Sequence, residues 1–176
     1  MYSKENIGRT YYYSEFITQN EQLIIKNWSL RNEKFLIPQL SGPYRATALF
    51  ESIPEKLDLL WELKNRIIEL EGLVDSKGKL LREDFVSIQR NGAKICEHMD
   101  RNPLDTNFYC RRYNIFITLP EIGGKPIYDK EILNIHERCL LKVDAGLILH
   151  STTTVEGETP RIILSYGFAI KKLSTF

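Results

Sequence analysis

Residues 140–168 read LLKVDAGLILHSTTTVEGETPRIILSYGF. Within and beside this stretch, RCLLKV (138–143), STTTV (151–155) and RIILSYGFAI (161–170) are short runs rich in β-branched and aromatic residues. Asp144 to Gly146 and Gly157 to Pro160 separate them with residues that supply turn geometry, so the pattern predicts antiparallel strands. Working toward the N-terminus, FVSIQ (85–89), AKICEH (93–98) and RYNIFITL (112–119) repeat the pattern, with breaks at Asn91-Gly92 and Gly123-Gly124. The C-terminal half is therefore expected to form an antiparallel sandwich or barrel.

The first half reads differently. Thr18 followed by Glu21 is a capping-box pattern ahead of Leu23, Ile24, Ile25 and Trp28, and Ser52 with Glu55 repeats it, with Pro54 in the first turn. From about Pro54 to Leu70, the residues Leu57, Leu60, Trp61, Ile67 and Ile68 recur at three- and four-residue steps, and Gly72 stands where a left-handed cap would end the helix. These helices are expected to pack on the outside of the strand-rich half. An amphipathic strand accounts for Tyr11, Tyr12 and Tyr13.

A chain of 176 residues, 43% hydrophobic, has material for one compact domain and its core. Twenty-four basic against 23 acidic residues leave a formal charge of +1, which argues against nucleic acid as the main partner. The first 20 residues are polar and tyrosine-rich, and no window approaches 18 consecutive apolar residues, so no membrane segment is expected and a cytoplasmic location is. Cys96, Cys110 and Cys139 have no metal-finger spacing and are expected as free, buried thiols.

His98-Met99-Asp100 closes a predicted strand, where residues two apart point to the same side and present an imidazole and a carboxylate together. A pair of polar residues at a turn fits the same three letters. Forty-nine residues separate Asp100 from His150, which opens another predicted strand, and ten more separate His150 from Arg161, which opens the last one. Two imidazoles and one carboxylate make the facial triad of non-haem Fe(II) oxygenases, and an arginine supplies a bidentate fork for a carboxylate.

On these residues the chain resembles the Fe(II)- and 2-oxoglutarate-dependent dioxygenases, whose double-stranded β-helix, or jelly roll, carries HxD, a distal His and an Arg or Lys about ten residues on. IQRNGAKICEHMD (88–100), NIFITLPEIGGKP (114–126) and the 140–168 stretch resemble that family's strands and turns. The resemblance implies one domain over 1–176, mainly β with α: a jelly-roll core over 85–170, flanked by a helical support region over 1–84. It also implies that His98, Asp100 and His150 hold Fe(II) and that Arg161, with Ser165 four residues on along the same strand face, binds 2-oxoglutarate. O2 would be consumed and succinate and CO2 released as an unactivated C–H bond of a small molecule, such as an amino acid, or of a protein side chain is hydroxylated. A carboxylate at position 100 favours hydroxylation over halogenation.

Gln89 and Arg112 are candidates for substrate contact. A polar residue hydrogen-bonded at a strand end explains the first better, and a solvated charge at a strand start explains the second at least as well. Ser165 has the alternative of a satisfied buried hydroxyl. His136 has no metal-spaced partner and is read as a loop histidine. Two other functions remain compatible with the motif: a cupin-type metal-dependent isomerase or hydrolase that does not use 2-oxoglutarate, and a non-catalytic binding module.

Overall fold

The computed structural model describes residues 2–7, 10–39, 44–74, 80 and 84–172. In chain order its elements are β1 (Ser3–Ile7), β2 (Thr10–Ser14), α1 (Gln19–Arg31), β3 (Ile37–Pro38), β4 (Arg45–Leu49), α2 (Leu59–Glu71), β5 (Phe85–Gln89) and β6 (Phe108–Thr118). There follow β7 (Ile122–Gly123), β8 (Pro126–Tyr128), β9 (Glu131–Ile132), β10 (Leu140–Val143), β11 (His150–Thr152), β12 (Val155–Glu156) and β13 (Arg161–Lys171). Eight strands form one sheet in the order β1-β2-β10-β6-β13-β5-β4-β3, with antiparallel pairing throughout. Opposite it lie two small groups, β11-β8-β9 and β12-β7.

Strand alternation sorts the large sheet into two faces. Tyr113, Ile115 and Ile117 of β6 join Ile162, Leu164, Tyr166 and Phe168 of β13 in an apolar core. The helices complete it with Ile25 and Trp28 from α1 and Leu60, Leu63 and Ile67 from α2. The other face turns toward the small strands, and Tyr12, Phe116, Tyr128, Leu141, Val143 and Ile163 fill part of the space between. Tyr11, Tyr13 and Tyr113 share one acceptor on the helix side: the Glu71 carboxylate at the end of α2 takes all three hydroxyl hydrogen bonds, at 2.7 Å from Tyr13 and 2.8 Å from Tyr113.

Helix α1 starts where its capping box predicts. Thr18 Oγ1 accepts from the Glu21 amide at 3.2 Å while the Glu21 carboxylate accepts from the Thr18 amide at 2.7 Å. Helix α2 starts later than the sequence suggests, at Leu59 instead of Pro54. Glu55 is drawn away from a capping role by α1: its carbonyl accepts from the Trp28 indole at 2.8 Å and its carboxylate from Arg31 and Asn32 at 2.6 and 2.8 Å. The end of α2 agrees with expectation, with Gly72 in the left-handed conformation at φ 60°.

The first 84 residues are more than helical support, because β1 to β4 supply half the strands of the large sheet. The expected strand 93–98 is not regular either. It runs extended against 150–155 and pairs through Ala93 with Val155, Ile95 with Thr152 and His98 with His150. Each step advances two residues on one side and three on the other, so only an isolated bridge at His98 and His150 forms. Cys110 and Cys139 are buried free thiols, but Cys96, on this irregular segment, is exposed. Among the described residues no helix is long and apolar enough to cross a membrane.

Candidate metal centre and its cavity

The irregular segment and β11 bring His98 and His150 side by side. Their backbones exchange two hydrogen bonds of 3.0 and 2.9 Å, and their ring centroids lie 4.3 Å apart. Asp100 completes the group, its amide donating to the Ala145 carbonyl at 2.9 Å. One donor atom from each of the three residues falls within 4.8 Å of the other two.

Hydrogen bonding fixes which atoms point inward. His98 Nδ1 lies 2.8 Å from the Cys96 carbonyl oxygen and His150 Nδ1 lies 3.0 Å from that of Ile148. Each carbonyl can only accept, so each Nδ1 carries the proton and each Nε2 presents a lone pair. Asp100 Oδ1 lies 3.5 Å from His98 Nε2 and 3.7 Å from His150 Nε2. Three acceptor atoms thus converge with no proton among them in the neutral state, an arrangement that a cation between them satisfies.

Arg112 is bound to this group. Its Nε donates to Asp100 Oδ2 at 2.8 Å, which ties up the oxygen that faces away from the imidazoles and leaves Oδ1 as the free one. Burial opposes charge on Asp100, but the hydrogen bond it accepts from His98 once that imidazole gains a proton on Nε2, and the Arg112 charge, outweigh it and hold the carboxyl well below the usual range. Asn102 pins the same loop: its side chain accepts from the Cys110 amide at 2.9 Å and donates to the Gly146 carbonyl at 3.1 Å. A Cβ on Gly146 would sit 1.8 Å from Asn102 Oδ1, so the clamp needs glycine there.

Beside the three residues a cavity of about 480 Å³, counted out to its open mouth, is lined by Arg45, Arg112, Asn114, Tyr128, Arg161 and Ser165 among others. Arg161 and Ser165 lie two turns of alternation apart on β13 and are 3% and 1% exposed. Arg161 stacks 5.1 Å above the Phe116 ring, and its Nε and Nη1 have no hydrogen-bond partner. Burial brings this guanidinium down to about 10, and the like charge of Arg45 acts in the same direction, so it remains a cation at neutral pH. Gly124, at φ 62°, makes room for it: a Cβ there would lie 3.1 Å from Arg161 Cδ and 2.8 Å from Pro120 Cγ. Gln89 is fully buried beside Arg161 in the register of β5 and β13, with both amide atoms unpartnered.

The sequence-derived candidates thus gather around one cavity, with two qualifications. Arg112 meets Asp100 instead of presenting a free guanidinium, and Gln89 stands in the sheet wall behind the lining residues. His136 is exposed on a loop, away from the cavity residues. Sequence reasoning missed Arg45 and Tyr128. The first had a faint signal in RATAL, where Arg45 and Thr47 alternate with two alanines; the second is a lone tyrosine after the Gly-Gly turn, paired with His150 across β8 and β11.

No family model matches the chain, and no curated protein matches it in sequence. Solved structures do match. A prolyl-4-hydroxylase of Pseudomonas putida superposes with a TM-score of 0.64 at 14% identity, over 98% of this chain and 93% of that one. HygX of Streptomyces hygroscopicus, solved with nickel, 2-oxoglutarate and hygromycin B, gives 0.68 at 10% identity, over 90% and 81%. A Trichoplax adhaerens prolyl hydroxylase, solved with a hypoxia-inducible-factor peptide fragment, gives 0.67 at 10% identity, over 91% and 82%. The fold of this chain is the double-stranded β-helix, as its C-terminal sequence led one to expect.

Proposed function

We propose that a protein with this double-stranded β-helix and this cavity is an Fe(II)- and 2-oxoglutarate-dependent hydroxylase acting on a small molecule or a peptide. The observation that carries the reading is the convergence of three acceptor atoms, from His98, His150 and Asp100, in one cavity with the buried, unpartnered N–H groups of Arg161. An orphaned buried donor costs about 1–3 kcal/mol, so a fold that keeps two on one guanidinium is built to receive an anion. HygX, which superposes on this chain, was solved with 2-oxoglutarate and a metal.

In this reading His98, Asp100 and His150 hold the metal, and Arg161, with Ser165, takes the distal carboxylate of 2-oxoglutarate. Bound there, metal and co-substrate supply the oxidising power that inserts oxygen into a C–H bond, with succinate and CO2 as co-products. The chain's own groups prepare the site. The Cys96 and Ile148 carbonyls hold both imidazoles in the tautomer that offers Nε2, and Arg112 keeps Asp100 charged while restricting it to one inward oxygen. Phe85, Ile95, Val143 and Ile163 give the cavity apolar walls that limit water around the reacting bond.

An anaerobic titration of the Fe(II)-loaded protein with 2-oxoglutarate tests this. A weak visible charge-transfer band is expected in the wild type, together with a loss of at least about tenfold in 2-oxoglutarate affinity in Arg161→Met. If metal binds and no band forms, the cupin-type reading replaces this one. If neither binds, the chain is a binding module.

A further inference from the structure

The turn that follows β10 serves two of the three residues of the candidate metal centre. Asp144 opens it, its carbonyl accepting from the Leu147 and Ile148 amides at 2.9 and 3.0 Å. Inside the turn, the Ala145 carbonyl accepts from the Asp100 amide at 2.9 Å and the Gly146 carbonyl from the Asn102 side chain at 3.1 Å. At its end the Ile148 carbonyl accepts from His150 Nδ1 at 3.0 Å. His98 is oriented without this turn, by the Cys96 carbonyl at 2.8 Å.

An aspartate at the first position of a turn commonly bonds its own backbone. Asp144 instead engages two cations. Arg111 Nε donates to its Oδ1 at 2.6 Å and Lys142 Nζ to its Oδ2 at 2.8 Å, so β6 and β10 grip the carboxylate by one oxygen each. Arg111 faces Asp144 because the β6–β10 register, which pairs Arg112 with Val143, continues by one step. Arg111 is itself fixed, its Nη2 donating to the Tyr109 hydroxyl at 2.6 Å. The three charged side chains are 10–18% exposed, so solvent screens the pairs weakly and the charge-assisted hydrogen bonds hold a set direction. Burial works against charge on Asp144, and the two cations overcome it, holding the carboxyl below its usual range.

We infer that Asp144 is a positioning residue for the metal centre: clamped between Arg111 and Lys142, it fixes the 144–148 turn, and through that turn the seat of Asp100 and the ring direction of His150, while His98 is held independently. This assignment rests on the reading of His98, Asp100 and His150 as metal ligands. It adds a charged cluster outside the cavity on which two of those ligands depend.

The test is proton NMR of the full chain loaded with Co(II), whose unpaired electrons move the ring N–H protons of bound imidazoles away from the rest of the spectrum. Wild type should show two such exchangeable resonances, assigned to His98 and His150 by their cross-peaks to Cys96 and Ile148. In Asp144→Asn, which keeps the shape and removes the charge, the His150 resonance is expected to move and to exchange with water at least about fivefold faster, the scale of one weakened hydrogen bond. The His98 resonance should stay in place, and Co(II) affinity should fall about tenfold. Arg111→Lys keeps the charge but loses the Nε contact and should reproduce the selective effect at smaller amplitude. It carries the test if Asp144→Asn fails to fold or to take up Co(II). Two resonances that respond alike, a His150 resonance that stays where it is, or loss of folding in both variants would overturn the inference and leave the oxygenase reading standing. If the wild type takes up no metal at His98 and His150, both fall.

Discussion

On β6, Tyr113, Ile115 and Ile117 face the helices while Arg112 and Asn114 face the cavity, and on β13 Ile162, Leu164 and Tyr166 face the helices while Arg161 and Ser165 face the cavity. The same two strands thus build an apolar core on one side and a polar site on the other. On the helix side the buried charges are paired, with the Lys64 ammonium 2.8 Å from Asp84 and three tyrosine hydroxyls sharing Glu71, and the one unpartnered buried side-chain atom among the described residues there is the neutral Ser29 hydroxyl. On the cavity side Arg161 and Gln89 keep buried atoms without partners. The helix face is where this fold gains its stability, and the cavity face is where it leaves groups waiting for a ligand.

The comparison can be broken by substitutions on each face, and the largest effect is expected on the helix side. Phe168 is fully buried and meets Tyr113 edge-on at 5.7 Å, so Phe168→Ala should cost about 3–5 kcal/mol in urea unfolding. Metal affinity per folded molecule should be unchanged; a parallel loss of metal affinity would mean the faces are not separable. Arg112→Met is the counterpart on the cavity side. Releasing Asp100 Oδ2 should weaken metal binding about 10–100-fold by calorimetry, with a loss of stability smaller than that of Phe168→Ala if the faces are independent.

Two glycines with nearly the same φ sharpen the contrast. Gly124 has φ 62° and crowds Arg161 and Pro120, whereas Gly72 has φ 60° and a Cβ added to it would meet nothing within 4 Å. Gly124→Ala should therefore destabilise by about 1–2 kcal/mol and also weaken 2-oxoglutarate binding several-fold, because the new methyl group displaces the Arg161 stem. Gly72→Ala should cost about 1 kcal/mol and leave 2-oxoglutarate binding as it was. Equal effects on binding would deny Gly124 its role in seating Arg161.

The strands that alternate cleanly were legible: β5 has the limits read from FVSIQ, and β13 those of RIILSYGFAI to within one residue. Capping chemistry located the start of α1 because its box is closed by groups three residues apart. Glu55 misled because its partners, Trp28, Arg31 and Asn32, are distant in sequence. Strand β6 begins at Phe108, four residues ahead of the RYNIFITL run, because Asp105 to Asn107 form the turn and the chain is paired with β13 from there on. The segment 93–98 has strand composition but not strand pairing, and that irregularity is what sets the His98 ring against His150.

By itself the sequence determined the alternation that divides the strands into two faces, the order HxD, His, Arg, and the turns that let the chain fold back on itself. Those are local properties: side-chain period, turn geometry and spacing are carried by neighbouring residues. Only the tertiary structure decided that Arg112 commits its charge to Asp100, that Arg45 from the N-terminal half enters the cavity, and that Gln89 stands between Arg45 and Arg161. Each depends on strands far apart in sequence lying side by side, because hydrogen bonds and ion pairs act over a few ångströms and sequence distance does not report that separation.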